Sequence, residues 1–275
     1  MGMLMGRAGL AEYSSFQPSC FLASGEPLAI PPAVFDFKAE PGVLKTTSSS
    51  AESLVVALVG LAFEARIAAG PGVSVICRDS EHVIAKSLEQ AIKRGCRRII
   101  SFGVAGGLAP HLRTGDWIIA SSVIDAHHVR PTDRAWTERL LGMIPDASHA
   151  PIVGVDSAVI DPKDKQRMHV TTGALTVDIE SHLVARLASA HGLSFAAVRV
   201  VVDPAHRAVP AAAIAGMRPG GGTSVMAILR ELLARPSQLS GLMRVALDAY
   251  TARNALLRVR QMLGPAFGHF ETGEI

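Results

Sequence analysis

Two acids in this chain each close a run of residues typical of a protein interior. Glu180 follows Thr176-Val177-Asp178-Ile179 and opens a segment with helical periodicity. Asp203 follows Ala196-Ala197-Val198-Arg199-Val200-Val201-Val202. A carboxyl at the carboxyl end of a strand stands where open α/β sheets place their ligands. For either acid alone a structural role serves as well: Glu180 in the first turn of a helix, Asp203 as a turn residue before Pro204. A third feature shifts the balance. Ser101-Phe102-Gly103-Val104-Ala105-Gly106-Gly107-Leu108 follows the lead-in Arg97-Arg98-Ile99-Ile100 and precedes Gly115-Asp116. The pattern predicts a strand running into a glycine-rich turn, whose bare N–H groups suit a phosphate, a ribose or a purine ring. A turn that only packs a strand against a helix reads the same way. The spacing is not the dinucleotide fingerprint G-x-G-x-x-G.

The elements that must hold these residues follow from periodicity. Leu54 to Gly60 reads as a buried strand and Glu64 to Ala69 as the first turn of a helix. Val73 to Cys77 is a short strand, and Ser80 to Arg94 a helix stopped at Gly95. Strands are expected at Arg98–Phe102, Asp116–Ile124, Pro151–Val159, Ala174–Asp178 and Ser194–Asp203. Residues 132–148 suggest a helix and a polar loop, and 161–169 a charged linker or helix. Glu180 to His191 forms a helix ended by Gly192, and two amphipathic helices span 223–263. Strands alternating with helices imply an α/β domain with a central mixed β-sheet flanked by helices. That domain is expected over 51–275. Residues 1–50, with Pro18, Pro27, Pro31, Pro32 and Pro41 and the run Thr46-Thr47-Ser48-Ser49-Ser50, are expected as a partly disordered extension.

Composition narrows the class. Of 275 residues, 49% are hydrophobic, enough for a large core, and only 5% are aromatic, so the core is aliphatic. A net charge of +3 with scattered lysines and arginines gives no nucleic-acid footprint. Cys20, Cys77 and Cys96 offer neither metal spacing nor a disulfide framework, which suits a reducing cytoplasm. No apolar run reaches the roughly 18 residues a bilayer span needs, and no leader pattern is expected. Asp125, His127 and His128 form one short cluster without a second, so no metal is expected. Asp161, Lys163, Asp164 and Lys165 read as a solvated charged stretch.

Gly60, the FGVAGGL…GD stretch (Phe102 to Asp116), VDIES (Val177 to Ser181) and VRVVVDPA (Val198 to Ala205) resemble the nucleoside phosphorylase and nucleosidase superfamily, in the same order. The likeness spans residues 54–235 and implies a phosphorylase/hydrolase-type fold that cleaves the N-glycosidic bond of a purine nucleoside. It implies that Glu180 binds the ribose hydroxyls and that Asp203 hydrogen-bonds or protonates N7 of the departing base. Gly60, Ala105, Gly106, Val159, Ile160 and Ile179 would line the nucleoside. Plain core packing is the ordinary role of Val159, Ile160 and Ile179. Arg66, Gly103 and Val104 would meet phosphate, the expected acceptor and co-substrate, with no other cofactor. An arginine fork suits phosphate, though an exposed helix arginine reads the same. The segments GLAFEARIA (Gly60 to Ala68) and DPAHRAVP (Asp203 to Pro210) resemble the hopanoid-associated phosphorylases, which implies adenosylhopane, a 5′-substituted adenosine, as substrate. The helices of 223–263 are compatible with an apolar groove or contact with a membrane surface, and equally with packing or a subunit interface. A homo-oligomer is expected by resemblance.

Two departures stand out. Val104 occupies a position where the superfamily has serine, and Ala65 the position of the glutamate that activates water in the nucleosidases, with Glu64 one residue away. A missing acid argues for phosphate over water. A hydrolase of the methylthioadenosine/S-adenosylhomocysteine type and an inactive nucleoside-binding protein remain alternatives.

Overall fold

The computed structural model describes residues 55–210, 213 and 239–269. In chain order they form β1 (Val55–Val59), α1 (Ala62–Ala68), β2 (Val73–Cys77), α2 (Glu81–Lys93), β3 (Arg98–Gly107), β4 (Trp117–Ile124) and β5 (Val129–Pro131). After these come α3 (Arg134–Met143), β6 (Ser148–Gly154), α4 (Pro162–Thr172), β7 (Thr176–Asp178), α5 (Ser181–His191), β8 (Ser194–Asp203) and α6 (Leu239–Leu263), then a 3₁₀ turn at Pro265–Gly268. The extension expected at 1–50 and the helix expected at 223–235 lie outside the described residues.

The strands make one mixed sheet in the order β2-β1-β3-β7-β6-β4-β5, with β8 pairing both β3 and β4. β1, β2, β3 and β8 run one way; β7, β6 and β4 run the other. Because β8 joins β3 to β4, the strands β3-β7-β6-β4-β8 close into a ring, and β2-β1 extend from it. Burial explains the composition of these strands. All five residues of β1 are buried, as are seven consecutive residues of β8, Phe195 to Val201. Strands covered on both sides read as continuous apolar runs.

Helices cover both faces. α1, α3, α6 and the 3₁₀ turn pack on one through Ile67, Trp136, Leu140, Leu256, Val259 and Phe267. α2 and α5 cover the other through Ile84, Leu88, Val184 and Leu187. The helix ends follow local chemistry. Asp161 caps α4 by accepting a hydrogen bond from the Lys163 amide, with Pro162 in the first turn. Gly173 and Gly192 end α4 and α5 at φ 69° and 62°, a left-handed conformation that favours glycine.

Two expectations need correction, and one strand was not foreseen. The glycine run is not a turn: β3 continues as strand through Gly107, three residues of it paired with β8 beyond Phe102 before a register shift at Ala105/Gly106. β6 begins at Ser148 and ends at Gly154, so Val159 lies past it in an irregular stretch. β5, three residues at the sheet edge, has too short a pattern to be read from sequence. α6 packs only in part. Ala252, Ala255, Leu256, Val259 and Leu263 are buried, whereas Leu239, Met243, Leu247 and Tyr250 are exposed. Among the described residues no helix is long and apolar enough to cross a membrane.

Candidate active site

The glycines of β3 earn their place by what lies against them. A Cβ on Gly103 would collide with Oε1 of Glu64 and come within 2.7 Å of Nη1 of Arg199. A Cβ on Gly106 would sit 3.3 Å from Oδ1 of Asp203. Gly60, at the end of β1, has the same relation to Glu180, whose Oε1 occupies the space a side chain would need. The missing side chains therefore make room first for the protein's own acids, not only for a ligand.

Glu64 is the residue that the sequence reading set aside. It is 2% exposed, while Ala65 is buried in the apolar core. Its carboxylate accepts hydrogen bonds from three backbone amides: Gly60 and Leu61, each at 2.8 Å, and Val104 at 2.7 Å. The expected gap at the end of the first strand is thus filled from one position earlier. Helix geometry explains the shift: α1 starts at Ala62, so Glu64 lies in its first turn and folds back on the preceding amides. Burial pushes the Glu64 carboxyl above its ordinary range, opposed by Arg199 and the three amides.

Arg66 lies two positions on, about 200° around a helix from Glu64, and is exposed. That places it on another face of α1 from Glu64. Val104 and Gly103 do belong to the cluster, through the Val104 amide and the close approach at Gly103.

Glu180 sits at the N-terminal end of α5, 6% exposed. Asp178 positions it. One oxygen of that buried carboxylate accepts from the amides of Glu180 (3.0 Å) and Ser181 (2.7 Å); the other accepts from Nε of Arg199 (2.7 Å). Arg199 is fully buried, a residue the sequence reading left inside its strand without a role. It also donates to the hydroxyls of Ser101 and Ser181. Its Nη2 lies 3.8 Å from Glu180 Oε2. Nη1 is buried with no hydrogen-bond partner among the described residues, and it faces the Glu64 side of Gly103. Burial pushes the Glu180 carboxyl up to about 8, with Arg199 opposing and Asp178 adding to the rise. An arginine in a run of valines was the available signal, since charge in a buried strand needs a partner.

Asp203 ends β8 and its carboxylate lies against Gly106 from that side. Its carboxylate pairs with Lys165, which is 0% exposed and also donates to the carbonyls of Arg207 (3.2 Å) and Pro204 (3.4 Å). Lys165 is therefore no part of a solvated stretch. α4 is polar outside and turns this one lysine inward. Burial raises the Asp203 carboxyl, and the Lys165 ammonium pulls it back.

Of the remaining residues, Ile179 and Gly106 are half-buried beside these acids, and Ala105 is buried. Val159 is half-buried against Leu108, Val153, Ala174 and Val177, and Ile160 is 42% exposed. His127 and His128 are exposed, and no cluster of metal-ligating residues occurs among the described residues.

The arrangement has two poles along β3. Glu64, Arg199 and Glu180 gather near Gly103 and Gly60; Asp203 stands near Gly106, roughly 10 Å further along the strand. One pole can accept a proton and bind hydroxyls. The other can donate a proton.

The sequence profile described as the Phosphorylase superfamily matches residues 81–234, more than half of the 275. The chain belongs to the phosphorylase superfamily. Solved structures with the superfamily's fold agree. Futalosine hydrolase of Helicobacter pylori aligns at a TM-score of 0.55 with 12% identity, covering 76% of this chain and 95% of that one. The 5′-methylthioadenosine/S-adenosylhomocysteine nucleosidase of the same organism gives 0.51 and 13%, covering 75% and 97%. A protein from Francisella philomiragia described as a putative nucleosidase of that type gives 0.53 and 13%, covering 78% and 99%. A search of curated proteins finds no match.

Proposed function

We propose that this superfamily member cleaves the N-glycosidic bond of a purine nucleoside and passes the ribose to water. The observation that carries the reading is Glu64. It is a buried acid of raised basicity, held by three amides and facing the unpartnered Nη1 of Arg199.

In this scheme the sugar lies over Gly103 and Gly60 and the base reaches Asp203. The spacing of the two poles is about the span from the anomeric face of a ribose to the far edge of a purine, with a hydrogen bond at each end. Glu180 accepts hydrogen bonds from the ribose hydroxyls. As the C1′–N9 bond breaks, its electron pair moves into the purine and the ribose becomes oxocarbenium-like. N7 takes a proton from the Asp203 carboxyl, whose burial favours the protonated acid. Water adds to C1′ and gives its proton to Glu64, with Arg199 Nη1 as a donor to the water oxygen. A base works best with its pKa near the working pH, and burial moves Glu64 in that direction.

The acceptor in this reading is water and not phosphate. A phosphate dianion at this pole would crowd the acids Glu64 and Glu180, and Arg199, the buried cation beside them, is already paired with Asp178. The names of the solved neighbours, a hydrolase and nucleosidases, agree with water. For the substrate's other end we keep adenine as the base and a bulky apolar 5′ group of the adenosylhopane type. That choice is supported by the GLAFEARIA and DPAHRAVP likeness.

The test is release of free adenine from a 5′-alkylated adenosine by the purified chain, with and without phosphate. The expected result is turnover in phosphate-free buffer with the 5-alkylated ribose as the sugar product, and a kcat ~10²–10⁴-fold lower for Glu64→Gln. An absolute phosphate requirement with ribose-1-phosphate as product restores the phosphorylase reading. Nucleoside affinity without adenine release leaves a binding protein.

A further inference from the structure

Lys165 is the group in this cleft that the scheme above does not use. It reaches Asp203 from α4, 38 residues earlier in the chain, and no part of it meets solvent. An ammonium has three hydrogens. Here they point to three acceptors: the Asp203 carboxylate and the carbonyls of Pro204 and Arg207. None remains for a ligand. Lys165 can therefore act only through Asp203 and the 204–207 loop.

We infer that Lys165 is a positioning residue for departure of the base: it holds one oxygen of the Asp203 carboxyl and leaves the other, Oδ1, toward Gly106 and the cleft. Oδ2 is the atom paired with Lys165, and both oxygens lie beside the Cβ position of Gly106, Oδ1 at 3.3 Å and Oδ2 at 3.4 Å, so Oδ1 borders that position while Lys165 holds its partner. A carboxyl with both oxygens unrestrained can rotate away from an incoming purine edge; one anchored by a buried ammonium cannot. The cation also tempers the acid. An opposite charge at this range favours the ionised carboxylate, against the burial that favours the protonated form. The other charged group acting on Asp203 is Asp248 of α6, which opposes ionisation and is itself paired with Arg207. Thr114 also donates to Asp248, at 3.1 Å, so that acid is held on its own partners.

This inference rests on the glycosidic reading, and it separates Lys165 from a purely structural tie between α4 and the loop. A structural tie affects every substrate alike. A positioning residue for N7 protonation affects only substrates whose leaving group needs that proton. p-Nitrophenyl riboside leaves as a stabilised phenolate and needs none.

The experiment compares Lys165→Met with the unmodified chain on two substrates, 5′-alkylated adenosine and p-nitrophenyl riboside. It also follows the Asp203 carboxyl by carbon-13 NMR, with the signal assigned through Asp203→Asn. We expect adenine release to lose ~10–100-fold in kcat with KM little changed, and p-nitrophenyl release to stay within about threefold. The Asp203 titration is expected to move up by about one pH unit or more. Equal losses on both substrates, or no loss on either, overturn the inference. So does an unmoved Asp203 titration. Lys165→Gln removes the charge while keeping a donor for the carbonyls, and gives the same readouts if the methionine variant does not fold. If the unmodified chain cleaves neither substrate, the glycosidic reading fails, and the NMR titration still decides whether Lys165 governs Asp203.

Discussion

Glu180 shows how a single carboxyl couples function to stability. Its carboxyl is pushed up to about 8 by burial, against an ordinary value of 4.5. The folded state therefore holds a proton that the unfolded chain has released, over the whole interval between those values. Stability from this group is full below about 4.5 and is lost as pH rises toward 8. Glu180→Gln removes the titration. Unfolding by urea at pH 5 and pH 8 should show the difference. The unmodified protein weakens between the two, and the variant weakens less, by up to about 4 kcal/mol. If both lose the same amount, Glu180 is not the titrating group. The variant should also raise KM for nucleoside, since Gln presents one oxygen to the ribose hydroxyls where the carboxyl presents two.

At the scale of elements, the sheet was legible where burial is uniform and the site was legible where acids end strands. β2 and β8 lie where their apolar, β-branched runs placed them. Glu180 and Asp203 stood out for the same reason. What could not be read was long-range. Nothing local distinguishes Lys165 from Lys163 on a polar helix; only the docking of α4 against the 204–207 loop buries one of them. Nor could Glu64 be told from Ala65 until α1 had a fixed start. The glycines of β3 were read as a turn because their usual signal is a turn. Here they are strand positions across which side chains from α1 and β8 pass. Gly103→Ala tests that account. The added methyl collides with Glu64 and crowds Arg199, and such overpacking costs about 1–3 kcal/mol. Denaturant midpoints should fall accordingly, and adenine release should fall with them because Glu64 must move. A variant with unchanged stability and turnover would show that the cluster is looser than described.

The whole molecule is organised around the ring β3-β7-β6-β4-β8, with Arg199 as a tie inside it. From β8 its guanidinium reaches Ser101 of β3, Asp178 of β7 and Ser181 of α5. Removing one partner of a buried ion pair leaves the other uncompensated, at about 3–5 kcal/mol. Arg199→Met should therefore lower global stability by that order in equilibrium urea unfolding, and a loss below about 1 kcal/mol would show that Asp178 has other support. The ring also binds the fate of Glu64 to that of the cleft. One oxygen of this acid clasps the Val104 amide of β3 and the other clasps the two amides after β1. The proton acceptor is thus a fastener as well. A proton placed on it in acid silences it as a base, yet burial favours that proton in the folded state, so activity is lost while the frame around the sugar holds.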